Sequence, residues 1–345
     1  MLTERQKRIL WAVIDDYILT AEPVGSRTVS RKDGVGFSAA TVRNEMADLE
    51  EMGYLEQPHT SAGRIPSQKG YRFFVDHLVT PQIWNKKELT RLHEFFSSTT
   101  GTDHLEEVIQ HTSGLLSQMT NYMGVVMGPK FEESSLKHLQ IVPITERLAV
   151  AILVTNSGHV EQRKIVVPDG VTVQSMEKLV NFLNFRLQGI PLRQLSKRVA
   201  MDYQEELKYH LDQLEPILLM MQQIFQHSQE ERLFMSGATR MLDQPEFQDV
   251  DKLKTILDLI EENNTMIHLM EPTIEGVQVR IGSELSLQEM DHMSFISASY
   301  YYQGEAVGTI GVLGPTRMNY ARVIGLIDLM SKDFSNRLNV LVDGK

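Results

Sequence analysis

Apolar residues first recur with a helical period at Leu10, Val13, Ile14 and Tyr17, spaced i, i+3, i+4, i+7, which gives one face of a first helix. Thr3 followed by Gln6 is a capping-box pattern that opens it, and the helix is expected to end near Thr20, ahead of Glu22-Pro23. A second short helix fits residues 26–32, with Gly25 or Ser26 as its cap. Asp33-Gly34-Val35-Gly36 then supplies a turn. Phe37-Ser38 starts a third helix, capped by Ser38 and closed by Gly53. Unrolled at about 100° per residue, its stripe Val42, Met46 and Leu49 faces the first helix. Ala40, Arg43, Asn44 and Ala47 lie opposite, with Thr41 at the edge. A short strand at Gly53-Tyr54-Leu55-Glu56 leads into a loop of small residues, and strand-like Gly70-Tyr71-Arg72-Phe73-Phe74 follows. In that loop Gly63 lets the tip turn and Pro66 stiffens the return.

Three helices with a glycine turn before the third form a helix-turn-helix layout, and a basic hairpin directly after it makes a winged helix. Beyond Thr80, residues 81–87 read as a linker, and helical patterns continue through 105–119. Between 122 and 167 the period changes to β, with runs at 139–142, 148–154 and 163–167 and a hairpin signal at Asn156-Ser157-Gly158. The pattern is helical again from 173 to about 262, strand-like from 277 to 313, and ends in an amphipathic helix over 320–341. Strands and helices in blocks, without βαβ alternation, predict an α+β multidomain protein.

One stripe in the middle stands out. Leu207, Leu211, Leu214, Leu218, Met221 and Phe225 are spaced 4, 3, 4, 3, 4, the interval of a coiled-coil seam. Pro216 interrupts it, which predicts two shorter helices with Pro216 in the first turn of the second. Such a stripe is in most proteins intradomain core.

The chain has 345 residues, enough for two or three domains. It has no cysteine, which excludes disulfide frameworks, Cys-type zinc sites and thiol nucleophiles. No segment reaches the length of an apolar membrane span, and the first residues lack the layout of a signal peptide, so a cytoplasmic protein is expected. Net charge is −11, which by itself disfavours nucleic acid. The charge is uneven, however. From Pro23 to Asn44 four basic residues face one acid, and from Pro58 to Val75 there are three basic residues and no acid. These are the two stretches able to face a polyanion.

Chemistry of other kinds finds little footing. The eleven histidines include no His-x-x-x-His pair, and there is neither a phosphate-binding Gly-x-x-x-x-Gly-Lys-Ser/Thr loop nor a Gly-x-Ser-x-Gly elbow. Carboxylate pairs such as Glu106-Glu107 and Glu261-Glu262 fall in helical patterns and read as solvated faces. No metal or other cofactor is expected, and no catalysis.

The run Ser38-Ala39-Ala40-Thr41-Val42-Arg43-Asn44-Glu45-Met46-Ala47-Asp48-Leu49-Glu50 resembles the HrcA family of bacterial heat-inducible transcription repressors. So do Val24-Gly25-Ser26-Arg27, Gly53-Tyr54-Leu55, His59-Thr60-Ser61-Ala62-Gly63-Arg64-Ile65-Pro66, Gly70-Tyr71-Arg72, and, near the C-terminus, Gly308-Thr309-Ile310-Gly311-Val312-Leu313-Gly314-Pro315-Thr316-Arg317-Met318-Asn319-Tyr320. The resemblance implies a winged-helix DNA-binding domain over 1–80 and a linker over 81–103. It also implies a GAF-like domain in two segments, 104–134 and 229–345, interrupted by an inserted dimerisation domain over 135–228. It implies double-stranded DNA with an inverted-repeat operator, a second copy of the chain and the chaperonin as partners, with no membrane.

The candidate DNA contacts are Ser26, Arg27, Thr28, Ser38, Ala40, Thr41, Arg43, Asn44, His59, Thr60, Ser61, Gly63, Arg64, Lys69, Tyr71 and Arg72. Among them Arg43 and Asn44 are the side chains with bidentate partners on guanine and adenine, whereas Arg64, Lys69 and Arg72 suit backbone or minor-groove contacts. With the resemblance, Leu207, Leu211, Leu214 and Leu218 become the candidate dimer contact. The expected function is repression of chaperone operons. Two other readings stay open: a regulator whose GAF-like part binds a small metabolite, and a winged helix used to bind protein.

Overall fold

The computed structural model describes the chain except residues 1, 60–62, 83, 85–104, 130–134, 157–159, 193, 196, 199–213, 226–232, 248–253, 255–257, 259–262, 272–275 and 344–345. It is a mixed structure of helices and sheets in two compact units, one of Met1–Gly128 with Arg232–Asn336 and one of Pro129–Glu231 with Arg337–Lys345.

The first unit begins with α1 (Glu4–Thr20), α2 (Ser26–Ser30) and α3 (Ala39–Glu51). Helix α1 starts where Thr3 and Gln6 cap each other reciprocally, the Gln6 amide donating to Thr3 Oγ1 at 3.2 Å and the Thr3 amide to Gln6 Oε1 at 3.0 Å. It stops at Ala21, whose left-handed backbone ends the ladder. Strands β1 (Leu55–Glu56) and β2 (Ile65–Pro66) pair as a hairpin, followed by α4 (Gln68–His77). Residues 70–74, expected as a strand, are thus helical. Ser67 Oγ accepts from the Gly70 amide at 3.0 Å and opens the helix, and Tyr71 and Phe74 at i, i+3 are its buried face. The short return strand is instead Ile65-Pro66.

Helix α5 (Leu105–Thr120) leads to β3 (Met123–Met127). The chain re-enters this unit at β7 (Leu233–Ser236), passes through 3₁₀ turns and α8 (Asn263–Met270), and continues into β8 (Val277–Ile281), β9 (Met293–Tyr302) and β10 (Glu305–Pro315). Helix α9 (Tyr320–Asp343) closes it. The antiparallel sheet has the order β7-β3-β10-β9-β8. Strand β7 falls where a helical pattern was expected, because four residues are too few to show an alternation and only pairing with β3 makes them a strand. One sheet face meets α9, with Tyr300 against Phe334 at 4.6 Å. The other meets α8 and the 3₁₀ turns through Met123, Phe295, Leu313, Met266 and Phe247. The start of the expected linker is packed: the Gln82 amide donates to Ala321 C=O at 2.9 Å, and buried Trp84 lies 5.0 Å under Arg322.

Three polar side chains fasten the N-terminal helices to this sheet. Arg317 donates to Ile18 C=O at 2.7 Å, near the end of α1, and is held by Glu246 at 2.6 Å. Gln68 accepts from the Ser283 amide and hydroxyl at 3.1 and 2.9 Å and donates to Asp291 C=O. Arg72 donates to Val279 C=O at 2.7 Å and pairs with Glu284. Tyr71 and Tyr320 pack between them, 5.9 Å apart, and burial pushes both phenols above their ordinary range.

The second unit holds a three-stranded antiparallel sheet, β4 (Leu136–Thr145), β5 (Leu148–Thr155) and β6 (Val160–Val166), with α6 (Val173–Leu187) and α7 (Leu214–Phe225). Pro216 is the third residue of α7, where its missing N–H costs nothing. Ile217, Met220, Met221, Ile224 and Phe225 are buried in one core with Leu179 and Leu183 of α6 and Leu139, Ala151 and Ile165 of the sheet. Arg163, clamped by Glu161 at 2.6 Å, donates to Ile224 C=O at 2.8 Å and ties α7 to β6.

Arg317→Met should leave Glu246 without its cation in a largely buried place, at a cost on the order of 3 kcal/mol. The expected outcome is faster amide exchange in α1 and α4, with protection in β9 and β10 retained. Uniform loss of protection would place the fastening elsewhere.

Candidate nucleic-acid interface

Helix α3 is oriented by both of its faces. Ser38 accepts from the Thr41 amide at 3.2 Å to start it, and Gly53, with φ +77°, follows its last turn. Val42, Met46 and Leu49 are buried. Glu45 joins them, buried and paired with Arg5 of α1, whose guanidinium lies 6.0 Å over Phe37. This ion pair sets the roll of α3 on α1, and it leaves Ala40, Arg43, Asn44 and Ala47 exposed and Thr41 half-buried. Ser38 is exposed as well.

The arginines of the stretch Pro23–Asn44 and the basic residues of Pro58–Val75 form two groups. Arg27, Arg31 and Arg43 are exposed, and none has a carboxylate partner among the described residues. Thr28 is exposed and Ser26 half-buried beside Arg27. Arg31 is an addition to the expected contact set; its place in the basic stretch between Pro23 and Asn44 was the signal. The second group is engaged. Arg64 donates its Nε to Glu50 of α3 at 2.7 Å, and its backbone bridges to Val24 through both N–H and C=O at 2.9 Å. Lys69 donates to Met52 C=O at 2.8 Å and sits 4.5 Å over the Tyr54 ring. Arg72 turns to Val279, Glu284 and Asp76.

Two expected contacts take other roles. Tyr71 is 2% exposed against Tyr320 and is core, because α4 rather than a strand presents it. Gly63 does not lie in the left-handed region. A Cβ there would meet Val24 C=O at 2.4 Å, so the glycine permits the hairpin to lie against the α1–α2 connection. His59 is exposed on the hairpin loop. Thr60 and Ser61, like Leu207 and Leu211 of the stripe, lie outside the described residues; the same holds for the Leu214 side chain. Leu218 is partly buried against the core of the second unit. The seam positions that can be seen therefore face their own sheet.

The family model described as "HrcA protein C terminal domain" matches residues 106–324. The chain is similar to the "Heat-inducible transcription repressor HrcA" of Brevibacillus brevis, at 46% identity over 98% of each chain. It is also similar to the protein of that name from Halalkalibacterium halodurans, at 45% identity over 99% of each. A solved structure described as a hypothetical protein at 2.2 Å resolution shares the fold, with TM-score 0.63 and 21% identity over 99% of this chain and 98% of that one. The class to which these named relatives belong is the transcription repressors. The chain belongs to the HrcA family.

Gly63→Ala should push the hairpin off Val24 and loosen the Arg64–Glu50 pair, destabilising the protein by about 1–3 kcal/mol. Urea unfolding measures this. Wild-type stability would mean that the hairpin does not lean on the α1–α2 connection.

Proposed function

We propose that this chain is a sequence-specific DNA-binding repressor of heat-shock chaperone operons. In this reading residues 1–80 act as a winged helix-turn-helix and α3 enters the major groove. The observation that carries it is that Arg27 and Arg31, on and just after α2, and Arg43 on the exposed face of α3 are all exposed and have no ion pair among the described residues. Guanidiniums left without internal counterions in a protein of net charge −11 are what a phosphate backbone neutralises. Arg43 and Asn44 are the proposed base readers, and Arg27, Arg31, Ser26 and Thr28 the proposed phosphate group. Arg64 acts through Glu50, holding the wing at a fixed angle to α3. The two-segment GAF-like reading of the sheet around its insert, and control by the chaperonin, belong to the same proposal through the family resemblance. No helix among the described residues is long and apolar enough to cross a membrane.

A repressor on an inverted repeat is a two-fold dimer. With Leu218 turned inward, the contact we propose is the outward face of the β4–β5–β6 sheet. Leu148, Val150, Ile152 and Val154 alternate there on β5. They are flanked by Val142 at 39% exposure, Val160 at 49% and Val166 at 59%. His138, Gln140, Gln162 and Lys164 share the face by register, and an isologous dimer would set this one patch against its own copy across a two-fold axis.

In gel shifts on the DNA upstream of chaperone genes, Arg43→Ala should lose about 1–3 kcal/mol of binding and relax specificity at one base pair. Arg27→Ala should weaken all sequences alike and lower the log–log salt slope by about 1. Arg64→Ala should leave that slope unchanged while lowering affinity. Wild-type binding by Arg43→Ala would remove α3 from the groove.

Ile152→Asp should sediment as a folded monomer with weak operator binding. Leu218→Asp should destabilise the fold of the second unit. A folded Ile152→Asp dimer would put the contact on another surface.

A further inference from the structure

We propose that Asn184 and Gln223 decide how copies of this chain can associate. Their carboxamides stand in for a further strand at each edge of the β4–β5–β6 sheet and keep a second copy from adding there by strand pairing.

The order β4-β5-β6 leaves β4 and β6 each with one unpaired side. Such an edge presents the N–H and C=O of every second residue outward, as a template for another strand. Both edges meet a carboxamide. On β4 the Leu139 amide donates to Asn184 Oδ1 at 2.7 Å, and Asn184 Nδ2 donates back to Leu139 C=O at 2.8 Å. On β6 the Val166 amide donates to Gln223 Oε1 at 2.8 Å, and Gln223 Nε2 donates to Val166 C=O at 3.3 Å. A carboxamide has the donor and the acceptor of a peptide group. Reciprocal bonds to the N–H and C=O of one residue are what an antiparallel neighbour makes. One such bond would be an ordinary tie between helix and strand. The same two-bond pair at both edges, from α6 on one and α7 on the other, mimics the missing strand.

The surroundings serve the same end. The start of β4 is covered by backbone: the Leu136 amide donates to Ile190 C=O at 2.9 Å, and the Gly189 amide to Leu136 C=O at 2.8 Å. Counting by twos from Leu139, the next outward positions are Ile141 and Pro143, and proline has no N–H to offer. On β6 the outward position next to Val166 is Lys164, which is exposed; lysine on an edge strand opposes pairing. These devices have something to guard against. Val142 on β4 and Val160 and Val166 on β6 are exposed beside the edges, and a strand edge next to an aliphatic face is where another chain adds. A repressor on an inverted repeat needs two copies, and edge pairing would let pairs add to pairs without closure. That consequence rests on the repressor reading; the caps themselves do not.

The test is sedimentation velocity of the full chain over a series of concentrations, without DNA. Wild-type protein should show nothing larger than a dimer. Asn184→Ala and Gln223→Ala should each raise the weight-average mass to about twice the wild-type value or more, as an opened edge pairs with another copy. Adding Ile141→Pro to Asn184→Ala, or Lys164→Pro to Gln223→Ala, should restore the wild-type mass. Each proline removes an outward N–H and leaves the bonds to β5 in place. Gln223→Ala, at a part-exposed position, carries the test if Asn184→Ala fails to fold. A lower Tm with unchanged mass in the folded single variants would make the caps mere helix ties and overturn the proposal. Association that persists in the proline double variants, or wild-type species beyond a dimer, would overturn it too. Each variant is compared with the wild type's own mass, so failure of operator binding leaves the sedimentation result standing and sinks the repressor reading alone.

Discussion

Much of the first unit turns on one guanidinium. Arg317, in the connection between β10 and α9, is 11% exposed and reaches in three directions at once: to Glu246 and Gln244 of the 3₁₀ region and to Ile18 C=O of α1. A planar fork with fixed donor directions can satisfy such a set, whereas a lysine would meet it with one rotating ammonium. Its partner Glu246 is itself largely buried, so neither charge is tolerable without the other. The pair therefore makes the position of α1 a property of the sheet. Gln68 and Arg72 do the same for α4, and α3, packed on α1 through Glu45 and Arg5, follows.

The same economy explains the charge pattern of the N-terminal helices. Asp48, Glu50 and Glu51 crowd the C-terminal end of α3, where acids can point away from a polyanion met by the helix's N-terminal part. Two of the acids on this helix do more than that. Glu45 fixes the helix on α1, and Glu50 fixes the hairpin on the helix. Each removes one arginine from the free population, and Lys32 is likewise spent on Asp15 at 2.6 Å. Among the described arginines of the two basic stretches, those that remain exposed and without an ion pair are Arg27, Arg31 and Arg43. The chain belongs to a family of transcription repressors while carrying a net negative charge; local pairing, and not the average, decides which cations face outward.

In the second unit the competition is between inside and outside for apolar residues. The stripe through Leu218, Met221 and Phe225 satisfies the geometry of a helix pair, and it is used against the unit's own sheet. The outward positions of β5 are aliphatic as well. A sheet strand flanked by two others buries one face against α6 and α7, and its second aliphatic face has to be accounted for by something beyond that core.

The sequence alone was sufficient for the local devices: the Thr3–Gln6 and Ser38 caps, the turn at Gly34 and Gly36, the faces of α1 and α3, the three strands between 136 and 166, and the helix after Asn319. Each depends on residues within a few positions of one another, so periodicity and capping chemistry are enough. It missed β7, the helix at 68–77 and the fate of Arg64, Tyr71 and Arg72. Those depend on partners far away in the chain: β3 for β7, Tyr320 for Tyr71, Glu284 and Val279 for Arg72. Whether a basic residue is free or paired, and whether an apolar stripe faces its own core or outward, is a question of which distant group arrives beside it. Only the tertiary structure brings those groups together.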